Sequence, residues 1–412
     1  MTKTRDEERR ELHPVMSLSR VMVRRDPAEE YRVATPLELF FDLCFVVAVA
    51  QAGGRLAHAI AQGHGGQGVI GFAMIFFSIW WAWMNFTWFA TAYDTDDVPY
   101  RLTTLVQIAG ALILAAGVPR AFDDADYSVV LVGYVVMRLA LTTQWLRAAR
   151  NERGGARTMA LRYAGGIVLL QVGWVGFQFL PSGNAQGWGF VLLAVGELAV
   201  PVVAERSFLT PWHPHHIAER YGLFTLIVLG ETVAAATEAV QKSLDQGSFA
   251  NLLPIGAGGV LVVFSAYWIY FVVPIHEHLS GVRTAFLWGY GHYLIFSSAA
   301  AIGVGLEVAI QQAVGEAAIS AVGAAAAVTI PIAVFVFSTW LLHARRFKRS
   351  LRQQAVLPLT AAAILACTFA GRWAVLCAGC VAAGSVAASL YLHLASPRVT
   401  EPIAGRLQRH RQ

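Results

Sequence analysis

Residues 38–51, ELFFDLCFVVAVAQ, decide how the chain folds. Apart from Glu38, Asp42 and Gln51 every residue is apolar, with neither the alternation of a half-buried strand nor the single stripe of a surface helix. A helix apolar all round is one buried in a large core or in a bilayer. The preceding residues, Thr35-Pro36-Leu37, supply its start. Thr35 at the N-cap, Pro36 at the first helical position and Glu38 at the third form a capping box, and an acid there also meets the positive end of the helix dipole.

Outward from this stretch the same character continues. The chain has 412 residues, 56% hydrophobic and 14% charged, where soluble domains carry about 25% charge. Apolar runs near the length needed to cross ~30 Å of hydrocarbon fall at 37–61, 67–93, 101–121, 127–148, 160–180, 187–205, 217–240, 253–274, 287–312, 318–343, 355–372 and 374–395. They predict an all-α, polytopic bundle of about twelve spans. Ten or eleven remain open, because only Gly371 and Arg372 separate the last two runs.

The net charge of +5 raises nucleic acid as a partner, but the placement of the basic residues excludes that reading. With the N-terminus inside, the cytoplasmic segments hold 26 of the 31 Lys and Arg residues, including ARRFKRSLR at 344–352. The outside loops QGHGGQG, AFDDADY and PSGNAQG carry none, so the positive-inside rule places both termini in the cytoplasm. Residues 1–34 lack the apolar core of a signal peptide and read as a polar tail, disordered or a surface helix. Residues 396–412 form a second tail.

Residues 35–206 and 207–395 divide as two six-span halves. Spans 1 and 7 both open on a cytoplasmic Glu, Glu38 and Glu219, and both carry a second polar group further on, Gln51 and Glu231. Spans 2 and 8 are both aromatic-rich. A parallel repeat of this kind sets spans 1 and 7 opposite each other.

Ionisable groups inside such spans are expensive and need a reason. Asp42 lies a turn deeper than Glu38, roughly 9 Å from Pro36 along the axis, where an unpaired carboxylate costs about 2.5–3.5 kcal/mol. Arg101, Arg138 and Arg220 are its candidate partners on the same side of the membrane. Either a fixed ion pair or an ion site follows. Glu231 and Glu197 have no basic residue nearby on their own helices, so each needs an interhelical partner, a water-filled cavity or a proton. His292 and Glu307 lie in span 9, and Glu219 and Arg220 open span 7. Trp80, Trp81, Trp83 and Trp88 either line a cavity or fill the core of span 2.

Metal chemistry has little support. Cys377-x-x-Cys380 falls inside a span without a second pair, and the histidines of WHPHH (212–216) and His276-Glu277-His278 sit at membrane edges. No phosphate loop, nucleophile elbow or other motif carries covalent chemistry, and no residue set calls for a cofactor.

The runs TPLELFFDLCFVVAVAQ (35–51), ERYGLFTLIVLGET (219–232) and HYLIFSSAAAIGVGLE (292–307), in this order, resemble the low-temperature-requirement A (LtrA) family of bacterial membrane proteins. The resemblance implies a many-spanning fold, with Glu38, Phe41, Asp42, Glu219, Arg220, Gly222, Gly230, Glu231 and His292 at motif positions. Cys44 stands where the family more usually has Val. FFDLCFVVAVA is also similar to the Phe-Ser-Asp motif of potassium channels built from two six-span repeats, though Phe41 replaces the Ser and the second half has no such triplet. These readings lead to transport of a small solute or ion through the buried acids Asp42, Glu231, Glu38, Glu219 and Glu197, with Arg220 and His292. The alternatives are a cation channel and a non-transporting membrane protein linked to growth in the cold.

Overall fold

Thr35 opens the first helix as the sequence predicts. Its hydroxyl accepts the Glu38 N–H at 3.3 Å, the Glu38 carboxylate accepts the Thr35 N–H at 2.8 Å, and Pro36 takes the first helical position. Two otherwise orphaned donors are thereby satisfied within four residues.

A computed structural model of the chain describes residues 19–26, 29, 32–181, 183–245, 249–279, 281–347 and 350–394. Twelve α-helices occur among them: α1 (Pro36–Ala61), α2 (Gly65–Tyr93), α3 (Val98–Asp123), α4 (Ser128–Asn151), α5 (Gly154–Phe177), α6 (Asn184–Ala204), α7 (Pro214–Asp245), α8 (Phe249–Phe271), α9 (Val282–Ala313), α10 (Ala321–Leu342), α11 (Leu351–Ala366) and α12 (Ala374–Leu394). Ten of these are long and apolar enough to cross a membrane, and α7 and α11 are not among them. Charged groups interrupt α7, while α11 has 16 residues, about 24 Å of helix. The narrow break expected near Gly371 is two short 3-10 turns, Cys367–Phe369 and Gly371–Trp373, with Gly371 at φ +60°.

The helices pack in two groups. In the first, α1 lies against α2 and α3, and α3 to α6 follow as neighbours in chain order; in the second, α7 lies against α8 and α9, α9 against α10, α10 against α11, and α12 returns to α8. The groups meet where α1 touches α7 and α9, with α2 also reaching both. Close crossings use glycine: a Cβ on Gly110 of α3 would lie 2.8 Å from the Gly133 carbonyl oxygen of α4, and one on Gly379 of α12 would lie 2.6 Å from the Gly258 carbonyl oxygen of α8. Without a hydrophobic drive between helices in lipid, such backbone approach supplies the packing.

The described part of the N-terminal segment corrects the expectation of a disordered tail or surface helix. Residues 19–26 and 32–35 run as an ordered strap without helix. The Arg20 N–H donates to Asp97 at 2.6 Å, the Arg25 N–H to the Ala92 carbonyl at 2.8 Å, and the Met22 side chain is buried. Arg147 of α4 pairs with Asp97 and donates to the Arg20 carbonyl. At the other group, the Glu29 carbonyl meets His213 Nε2 at 2.9 Å and the Ala34 N–H donates to Glu219 at 3.1 Å. Residues 1–18 and 395–412, the latter including the expected C-terminal tail at 396–412, lie outside the described residues.

Candidate functional site between the two helix groups

Asp42 finds Arg220, one of its three candidate partners. The Arg220 guanidinium straddles the Asp42 carboxylate, Nη2 to Oδ1 at 2.6 Å and Nε to Oδ2 at 3.0 Å, and Trp83 Nε1 donates to Oδ1 at 2.6 Å. This two-pronged pairing fixes α1 against α7 in orientation as well as distance. The other two candidates are committed elsewhere: Arg101 to Asp96 at 2.7 Å and Arg138 to Glu197 at 2.7 Å.

Glu38 joins the same cluster. Arg220 Nη1 lies 3.0 Å from Glu38 Oε1, at ion-pair distance without hydrogen-bond alignment, and His216 Nε2 lies 3.3 Å from the carboxylate. Arg32 of the strap stands 3.9 Å away, donating to the Ala90 carbonyl at 2.8 Å and to that of Thr91. All five side chains are buried. Two carboxylates and two guanidiniums balance, which a closed, dry environment requires. Arg32 escapes the sequence reading, and His216 enters it only as one of the histidines of WHPHH at a membrane edge. His216 could have been found as the residue one helical turn before Arg220 on the same face.

Just outside the spans, the Asp94 carboxylate, its side chain almost fully covered, lies 3.7 Å from Arg32. Burial and the nearby Glu38 carboxylate push its pKa up to about 6 against the opposing pull of Arg32. Asp97 behaves oppositely. Burial acts to raise it, but the Arg147 guanidinium and the N–H groups of Arg20 and Tyr100 outweigh that and hold it at about 2.

Glu231 is not in this cluster. It lines a cavity of about 430 Å³ between α1, α7 and α9, together with Gln51, Arg55, Thr232, Glu307 and Gln311, and with Glu316 beyond α9. The two polar groups matched between spans 1 and 7, Gln51 and Glu231, thus share one wall. They lie about 14 Å and 16 Å along their helices from Asp42 and Arg220. Arg55 is paired with Asp123 at 2.8 Å and Glu307 accepts from Gln311 at 3.0 Å. The Glu231 carboxylate has no hydrogen-bond or ion-pair partner among the described residues. Three acids against one paired arginine leave the lining acidic.

Aromatic rings fill the space between this vestibule and the charge cluster. Trp83 packs on Phe224 at 4.5 Å between ring centroids, Phe224 on Phe296 at 4.9 Å, and Phe41 on Phe45 at 4.5 Å. The span 2 tryptophans therefore belong to the core, and two of them also donate to carboxylates.

Glu197 and His292 are separate from both. Glu197 is buried within the first group and saturated: it accepts from Arg138 at 2.7 Å, Trp81 at 2.9 Å, Tyr134 at 2.9 Å, Trp174 at 3.2 Å and Gln171 at 3.3 Å. His292 belongs to a buried cluster of the second group, with Nδ1 at 2.7 Å from the Trp288 carbonyl and Nε2 facing Tyr270 at 3.1 Å and His343 at 3.2 Å. Glu219 holds the strap. Of the edge histidines, His215 and His276 come within 5.2 Å, ring to ring.

This arrangement defines a multi-pass helical membrane protein whose polar groups concentrate where two helix groups meet. The chain belongs to the bacterial low temperature requirement A protein (LtrA) family, whose family model matches residues 33–388. It is also similar to the uncharacterized protein RA0937 of Rhizobium meliloti (strain 1021), with 26% identity over 263 residues. The match covers 60% of each chain, so this chain spans about 60% of the length of that curated relative. No solved structure matches it.

Proposed function

We propose that the chain moves a small cationic solute or an inorganic cation across a bacterial plasma membrane by rearranging α1 and α7 around the space between them. The observation that carries this reading is the acidic vestibule, in which Glu231 stands without a partner among the described residues at the meeting of the two groups. Its volume falls in the range of small-molecule sites, about 300–1,000 Å³. Unpaired acids deep in a span mark ion and proton pathways.

In this mechanism the vestibule faces outside, the basic loops and both termini face the cytoplasm, and the charge cluster with its rings closes the inner side. Opening inward requires the Asp42–Arg220 pair to separate or to move as a unit. A cation at Glu231 supplies the charge that would otherwise favour closure. A fixed channel has less support, because buried rings and paired charges fill the space beneath the vestibule.

The test is flux through the purified protein in liposomes, under an imposed pH step and gradients of potassium, sodium and organic cations. Flux by the parent and its loss in Glu231→Gln, with the variant still folded, is the expected result. Silence of a folded parent under every gradient would remove the transport reading.

A further inference from the structure

A second cavity, of about 340 Å³, lies far from the vestibule, among the ends of α8, α11 and α12 and the turn after α10. Its walls are apolar: Trp268, Val272, Phe347, Leu357 and Leu390. Its end is polar, where His393 lies and where Gln353 Nε2 donates to the Leu392 carbonyl at 3.3 Å. Trp268, Val272 and Leu390 are exposed to the surroundings of the bundle. At the last turns of apolar helices those surroundings are lipid near the headgroup level, where tryptophan is favoured.

The edge on which this groove opens is strongly basic. Arg345 and Arg352, both exposed, adjoin the lining residues Ala344 and Gln353 in the chain, and the sequence from 345 to 352 carries no acid. Arg345 lies over the Trp340 ring at 5.8 Å and Arg352 is exposed, one residue before Gln353. An apolar slot in the hydrocarbon region with cations at its mouth matches an acyl chain attached to an anionic headgroup. A soluble partner would not reach the slot, and a neutral lipid would gain nothing from the arginines.

We propose that this groove holds an acyl chain of an anionic phospholipid, with its headgroup against Arg345 and Arg352. The site is independent of the transport reading.

The full chain is reconstituted in phosphatidylcholine vesicles with increasing brominated phosphatidylglycerol or brominated phosphatidylcholine, and the Trp268 emission is isolated as parent minus Trp268→Phe. The anionic lipid is expected to half-quench Trp268 at a mole fraction lower by about fivefold per contacting arginine. Arg345→Gln with Arg352→Gln brings the two curves together, while Trp188, at the start of α6, is quenched alike by both lipids. Equal curves for Trp268 in the parent overturn the proposal. So does the same preference at Trp188, which would mark general surface charge, and so does absence of quenching, which would mean that a protein segment fills the groove. If Trp268→Phe does not fold, native mass spectrometry replaces it: phosphatidylglycerol retained equally by the parent and the double arginine variant overturns the site.

Discussion

Arg220 answers to two acids, and that fixes the order of expected effects. Removing one member of a buried pair typically costs about 3–5 kcal/mol, because the other charge is left without compensation. Asp42→Asn leaves Arg220 its contact with Glu38, whereas Arg220→Gln strands both Asp42 and Glu38. The midpoint of thermal unfolding in detergent should therefore fall further for Arg220→Gln. The double variant should recover part of the sum, and strict additivity would show that the two groups do not interact. Asp94 carries a pH dependence of determined sign. Its pKa is higher in the folded protein, about 6, than in the unfolded chain. Between roughly pH 4 and 6 the folded state binds more protons, so stability falls as pH rises through that window, on the order of 2 kcal/mol in all. Asp94→Asn should flatten the melting temperature between pH 4 and 6; an unchanged slope would assign it to another group.

Among the elements, α2 shows how a helix serves two sites at once. Trp81 and Trp83 are two residues apart, about 200° around the helix. Trp81 consequently donates to Glu197 within the first group and Trp83 to Asp42 at the junction. Glu197, with five donors around it, ties α2, α4, α5 and α6 together. Glu197→Gln should lower thermal stability by about 3–5 kcal/mol through the uncompensated Arg138, yet leave flux per folded molecule unaltered. Lost flux at full stability would contradict the structural role. The crossing of α3 and α4 is equally committed. Gly133→Val has to push two backbones apart and should abolish folded, monodisperse protein in size-exclusion chromatography, since neither Gly110 nor Leu114 can yield as a flexible side chain would. Most helix bounds were legible in the sequence because apolar length announces a span. Helix α7 is the exception on hydropathy: its charges weaken that signal, and the surrounding helices compensate for them.

The whole molecule has a sidedness that follows from where its cavity stops. Cysteines placed at Gln51 or Gly54, which line the vestibule and are exposed, should react with a membrane-impermeant thiol reagent added to the vestibule side. One at Phe224, beneath the ring layer, should not. The measurement needs a background with Cys44, Cys367, Cys377 and Cys380 replaced. Equal reactivity at Phe224 would mean that the ring layer is open. At the opposite face the strap crosses from Asp97 and Ala92 in the first group to His213 and Glu219 near the second. Any inward opening has to carry or release it.

The sequence by itself determined the helical class, the start of α1, the approximate bounds of its helices, the LtrA resemblance and the burial of Asp42, because each depends on local composition or spacing. Of the candidate residues it selected, Glu38, Asp42 and Arg220 do come together, and Glu231 shares a wall with Gln51. Only the tertiary structure decided which arginine takes which acid. Arg101, Arg138 and Arg220 are equivalent as charges in a sequence, and the choice among them is set by which helices lie side by side. The same holds for the strap, whose polar composition reads as a solvated tail until Asp97, the α2 carbonyls and Glu219 are placed around it. Cavities are likewise invisible in a linear pattern. The pairing of Glu197 and the openness around Glu231 depend on the distances between helices, which no single helix encodes.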